Sequence, residues 1–244
     1  MTDMVQPTVP ALGLFARAVG VIVSPVDTFK AVVAHPRPVG ILFLVCLAMA
    51  IAVGGPQFTE SGKRAALDMQ VQQIERSTGN PISPEQYTAM ERFSAFSGYI
   101  AMGAIFVMIP VVTVIFTALY WAVFNIALGG NATFGQVLAV NTHSQVITAL
   151  GTLIGVPLQM MQGTFTPAGP FNLGVLAPML DPASGLALFL GALTFFGIWQ
   201  TIVAGLGLGV LYKRAPAGII IGLLIIYLAF TALFSVGLSS VMGR

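Results

Sequence analysis

Residues 198–230 read IWQTIVAGLGLGVLYKRAPAGIIIGLLIIYLAF, and their only charges, Lys213 and Arg214, stand side by side just before Pro216. On both sides the chain is dominated by apolar residues and glycine. A charge at the centre of an inserted helix costs about 2.5–3.5 kcal/mol. Cations gathered into one short turn therefore mark two membrane-spanning helices folded back on each other. Lys213-Arg214-Ala215-Pro216 makes the tight basic turn between them. The two runs extend over 183–212 and 217–241. At a rise of about 1.5 Å per residue, each is long enough for the roughly 30 Å hydrocarbon core of a bilayer.

The pattern repeats toward the N-terminus. A short uncharged span covers 39–55 and ends at Pro56; a second covers 98–128, with Pro110 as an expected kink. Gly129-Gly130-Asn131 forms a tight turn, and Thr133 with Gln136 has capping-box spacing. The third span opens there and runs to 162, with Pro157 expected to interrupt it. A loop rich in Gly and Pro follows over 163–181, and Asp181-Pro182 reads as the cap and first residue of the fourth span. Composition agrees: of 244 residues, 57% are hydrophobic and 7% charged, with a mean hydropathy of +0.92. The fold class is all-α, an integral membrane bundle of five transmembrane helices.

Residues 1–38 read as an N-terminal segment ahead of a membrane domain at 39–244. Residues 1–9 are polar and expected to be disordered. Two short apolar stretches follow, parted by Ser24-Pro25. Both are too short or too charged to span, which places them as interfacial helices with Arg17, Lys30 and Arg37 at headgroup level. Almost forty residues precede the first span, so a cleavable signal peptide is not expected. The one long polar segment, 57–96, predicts a helical hairpin. Leu67, Val71 and Ile74 recur at helical spacing, Thr78-Gly79-Asn80-Pro81 breaks the helix, and Ser83 with Gln86 caps the next. Tyr87, Met90 and Phe93 continue that helix into the second span as one long rod. Lys and Arg divide evenly between the two sides of the membrane, so counting them does not fix orientation. The Lys213-Arg214 pair in a minimal turn favours a cytoplasmic N-terminus and an extracytoplasmic 57–96 hairpin.

The opening LFARAVGVIVSPVDTFKAVVAHPRPVG, over 14–40, carries Arg17, then Ser24-Pro25, then Thr28-Phe29, then Pro36. In that order and spacing it resembles bacterial members of the YIP (Ypt-interacting protein) family. The resemblance continues through GGNATFGQVLAV (129–140), FNLGVLAPMLDP (171–182) and IWQTIVAGLGLGVLYKR (198–214), so it covers most of the chain. It implies five spans, a cytoplasmic N-terminal segment, no catalysis and a bacterial inner-membrane location. Eukaryotic members work in membrane traffic, and some bacterial relatives are similar to accessory subunits of MacB-type ABC exporters. His143 stands where many relatives carry Tyr and Pro.

The residues with chemistry to offer cluster in the third span. In QVLAVNTHSQV (136–146), Asn141 and Gln145 begin a stripe that continues to Thr148 and Thr152 at helical spacing, while His143 points to the other side. The stripe reads as interhelical hydrogen bonding, or as the lining of a polar cavity. Asn125 and Gln200 are the polar groups on neighbouring spans. His143 lies near mid-bilayer with no intramembrane acid beside it, which argues against a proton relay. It reads as a neutral imidazole bonded to a neighbouring helix, through Asn125, Trp199, Gln200 or Thr201, with contact to a partner subunit or lipid left open. Three small-xxx-small pairs, Gly151 with Gly155, Gly205 with Gly209, and Gly218 with Gly222, read as helix-packing faces.

Enzymatic machinery is not evident. Ser144 and His143 project about 100° apart on a helix, and no carboxylate is placed to complete a triad. Two histidines, His35 and His143, and one cysteine, Cys46, leave no metal motif, redox pair or disulfide framework. A net charge of +2 without a clustered basic face gives no nucleic-acid footprint. No cofactor is expected. The leading expectation is a non-enzymatic accessory protein, in contact with membrane lipids, that docks on another membrane protein such as an ABC exporter permease. A small independent transporter or channel is the alternative, and a membrane-shaping role for the N-terminal helices is a third.

Overall fold

The computed structural model describes residues 11–163, 169–182 and 184–242, with the last two residues described by backbone alone. The tail at 1–9, expected to be disordered, falls outside them. The chain forms short helices α1 (Leu14–Val23) and α2 (Pro25–Ala34), then α3 (Pro38–Gly54) and a 3₁₀ turn at Gly55–Phe58. Next come α4 (Glu60–Thr78), α5 (Pro84–Ser94) and α6 (Ser97–Trp121), the last prolonged by a π-helical turn at Ala122–Ala127. Then follow α7 (Phe134–Ser144), α8 (Val146–Gln162), α9 (Gly185–Ala192), α10 (Phe195–Tyr212) and α11 (Pro216–Met242). Among the described residues there is no strand, only an isolated antiparallel bridge between Asn172 and Thr194.

Five stretches are long and apolar enough to cross a membrane: Pro38–Phe58, Ser97–Ala127, Phe134–Gln162, Phe195–Tyr212 and Pro216–Ser240. They alternate in direction and leave the bundle with two ends. α4 and α5 lie at one, the hairpin end. The 128–133 and 213–215 turns lie at the other, the turn end.

The caps form where the sequence places them. Ser83 Oγ accepts from the Gln86 amide at 3.2 Å while Gln86 Oε1 accepts from the Ser83 amide at 3.0 Å. The same reciprocal pair joins Thr133 and Gln136. Gly79, after the last residue of α4, adopts φ +68°, the left-handed conformation that ends a helix without Cβ strain.

Several boundaries differ from the sequence reading. α5 and α6 are not one rod; the chain turns at Ala95–Phe96 between them. Pro110 and Pro157 sit inside α6 and α8 without ending either. The third span is interrupted at Gln145 instead. Three side chains just before it hydrogen-bond to backbone carbonyls of their own helix: Thr142 to Leu138 and Ala139, His143 to Ala139, and Ser144 to Asn141. Such bonds compete with the helical ladder and loosen it.

The fourth span is also two pieces. Its cap is Ser184 rather than Asp181, and α9 ends at Ala192. Leu173 donates to the Leu193 carbonyl and Phe195 to the Phe171 carbonyl, pulling 193–194 into an extended bridge. Tyr227 of α11 holds the freed Ala192 carbonyl through its hydroxyl at 2.8 Å. Thr194 then caps α10, accepting from the Gly197 amide at 2.9 Å.

At the N-terminus, α1 and α2 each pack one face on the bundle and leave the other exposed. Val21, Phe29 and Val32 join one core with Val137 and Val140 of α7 and Val203 and Leu208 of α10. Phe29 is fully buried and lies over Gly207, where a Cβ would stand 3.0 Å from its ring. Phe29→Ala is expected to destabilise the protein by about 3–5 kcal/mol, read as a lower thermal midpoint in detergent. A midpoint equal to wild type would refute this packing.

Candidate functional site

The polar residues of the third span meet α6 first. Asn141 Nδ2 donates to Thr117 Oγ1 at 3.0 Å and to the Thr113 carbonyl at 3.2 Å. One turn on, Gln145 Nε2 donates to Thr113 Oγ1 at 2.7 Å. The hydroxyls of Thr113 and Thr117 are themselves spent on the carbonyls of Ile109 and Thr113. Asn141, Thr113 and Thr117 are all buried. This part of the stripe is a closed seam between α6 and α7, with no room for a ligand.

Beyond Gln145 the stripe turns to α10. Thr148 Oγ1 donates to Gln200 Oε1, and Thr152 Oγ1 donates back to the Thr148 carbonyl. Asn125 is remote from this group. It sits in the π-helical turn at the turn end, where Nδ2 donates to the Ala132 carbonyl at 2.6 Å and Oδ1 accepts from the Tyr212 hydroxyl at 2.8 Å. Trp121 donates to the same carbonyl at 3.1 Å, and Arg214 to that of Leu128 at 2.9 Å. Asn125 is thus a clamp on the two turns. Sequence reasoning did not find its partner Tyr212, nor Trp121 on the same carbonyl.

His143 is fully buried, and the expected bond to a neighbouring helix is not made. Its Nδ1 donates to the Ala139 carbonyl of its own helix at 2.6 Å, leaving Nε2 as an acceptor without a partner among the described residues. Arg17 of α1, expected at headgroup level, is only 6% exposed, and its Nε donates to the Leu12 carbonyl at 3.0 Å. Burial first, and the Arg37 charge second, lower its pKa from the ordinary arginine value. Lys30 and Arg37 are exposed, Lys30 in an ion pair with Asp27 at 2.8 Å.

Above Thr148 the bundle opens into a cavity of about 380 Å³. Met49 and Val53 of α3, Gln57 of the 3₁₀ turn, Ala66 and Met69 of α4, and Phe196 of α10 form its walls with the α8 face. That face presents Thr148, Gly151, Thr152, Gly155 and Gln159, and the 169–171 segment covers it. Gly151 packs α8 on α10, where a Cβ would stand 2.5 Å from Phe196, while Gly155 meets the 169–171 segment instead of a helix, with Pro170 3.3 Å from a Cβ there. Among the described residues, no charged side chain lines the space. Among the described residues no three His, Cys, Asp or Glu side chains gather to hold a metal.

The other glycine pairs divide. A Cβ at Gly205 would meet Ile220 at 2.5 Å, and one at Gly209 would meet Pro216 at 3.1 Å, so both serve the α10–α11 contact. Gly218 and Gly222 of α11 have nothing within 4 Å and face outward. Close approaches the sequence reading missed lie at Gly54, Gly98 and Gly207.

Five apolar spans, a buried polar seam and a packed N-terminal helical pair define a multi-pass α-helical membrane protein. A family model described as the Yip1 domain matches residues 19–239, from within α1 to near the end of α11. The chain belongs to the Yip1 domain family. No curated protein and no solved structure matches it.

A double-mutant cycle of Asn141→Leu and Thr117→Val in detergent is expected to give a coupling of about 0.6–1.7 kcal/mol. Asn141→Leu with Thr152→Val, two sites that share no bond, should give none. Zero coupling in the first cycle would overturn the seam.

Proposed function

We propose that this protein is a non-enzymatic accessory subunit that docks laterally on another membrane protein. A MacB-type ABC exporter permease in a bacterial inner membrane is the partner of choice. The observation that carries the reading is the contrast between the two sides of α11. Where α10 meets it, Gly205 and Gly209 are filled by Ile220 and Pro216. On the outer side, Gly218 and Gly222 leave an open groove of the kind that admits a second helix at close range. Arg37, Lys213 and Arg214 belong to the end where α3 starts and α10 stops, which supports a cytoplasmic N-terminus. The α4–α5 hairpin is then extracytoplasmic and offers a recognition element to the partner.

Gly218→Leu with Gly222→Leu should fold normally, because the added side chains meet open space. Recovery of the partner in a mild-detergent pull-down should nonetheless fall about tenfold, the equivalent of about 1.4 kcal/mol. Gly205→Leu is the contrasting control, expected to destabilise the bundle by about 1–3 kcal/mol through overpacking. Wild-type protein recovered alone as a discrete monomer in every mild detergent would sink the docking reading. Undiminished recovery with the double variant would do the same.

The break in the fourth span supports a second reading, a small transporter, because interrupted helices beside a cavity are a transporter device. Vesicle flux should then fall with Asn141→Ala or His143→Ala; no flux in wild type removes it.

A further inference from the structure

We infer that the cavity between α3, α4, α8 and the 169–171 segment is a binding site for a neutral, single-chain lipid with a hydroxyl-bearing head. Its volume, about 380 Å³, is at the lower end of the range of small-molecule pockets, roughly 300–1,000 Å³. That is room for one acyl chain rather than two. The walls are made for such a chain: Met49, Val53, Met69 and Phe196 are apolar, and the two methionines adapt to a flexible occupant.

The polar groups around it are uncharged. The Gln57 and Gln159 amides lie toward the hairpin end, while the Thr148 and Thr152 hydroxyls lie deeper. A carboxylate or phosphate brought in would lose its water with no cation to receive it, whereas a hydroxyl exchanges one hydrogen bond for another. Glu60, Arg64 and Asp68 line a neighbouring groove that, among the described residues, shares only Gly62 with the cavity. Glycine is required at 62, where a Cβ would stand 2.0 Å from the Pro56 carbonyl oxygen, so the first turn of α4 sits tightly on the 3₁₀ turn that follows α3. The site does not depend on the α11 face assigned above to partner docking.

The probe is a diazirine-bearing 1-oleoylglycerol, photolysed with the full-length protein in detergent micelles and mapped by peptide mass spectrometry. Label is expected on the segments carrying Met49, Met69 and Phe196. Unlabelled 1-oleoylglycerol should displace it; oleate and a two-chain phosphatidylcholine should not. Ala66→Trp fills the cavity and should cut labelling about tenfold. Thr152→Val removes one hydroxyl at nearly constant shape and should cut it several-fold. Thermal midpoints report whether each variant is folded, and if Ala66→Trp is not, Thr152→Val decides. The Gly218→Leu, Gly222→Leu protein should label like wild type, so loss of partner docking and loss of lipid binding are read separately. Label spread evenly over the outer faces of α6 and α11, equal displacement by oleate, or full labelling of folded Ala66→Trp would each overturn the assignment.

Discussion

The third span carries Asn141, Thr142, His143, Ser144 and Gln145 in an unbroken row, and a membrane offers them no water. Each must find its hydrogen bonds within the protein. That constraint puts α7 at the centre of the bundle: its span is 56% buried, against 11% for the α6 span beside it. Three of the five bond to their own helix and loosen it, producing the interruption at Gln145. The other two reach across to Thr113 and Thr117 and fix the register of α6 against α7. One polar row thus breaks a helix and also locates its neighbour.

The rest of the packing follows from which glycines have an occupant. Gly207 lets Phe29 of α2 settle against Val140 of α7, and this ties the inner face of the N-terminal helices to the core. Gly54 and Gly98 let α3 and α6 approach backbone to backbone. Gly151 admits Phe196 of α10 and Gly155 admits Pro170, both beside the cavity, and Gly218 with Gly222 face outward with nothing against them. Identical spacing therefore has three outcomes. A small-xxx-small pair specifies that close approach is allowed, not what approaches.

His143 illustrates how burial and partnership separate. It is fully enclosed and bonded only to Ala139 of its own helix.

The sequence by itself determined the number of spans, their order and most of their caps. Those features are local: apolar runs of membrane length, charges confined to turns, and side chains three residues apart that satisfy each other's backbone groups. It also marked the polar stripe, because helical spacing alone aligns Asn141, Gln145, Thr148 and Thr152. Only the tertiary structure decided that half of that stripe is a closed seam and half a cavity wall, since this depends on what α6 and α10 present opposite it. The break at Leu193–Thr194 was equally hidden, for it comes from a bridge to Phe171 and Leu173 and a hydroxyl on Tyr227, about twenty to thirty-five residues away. Arg17 turned inward for the same reason. The helical pattern of α1 shows an amphipathic face, but only the packing of α7 and α8 beside it determines that the Arg17 side chain is covered.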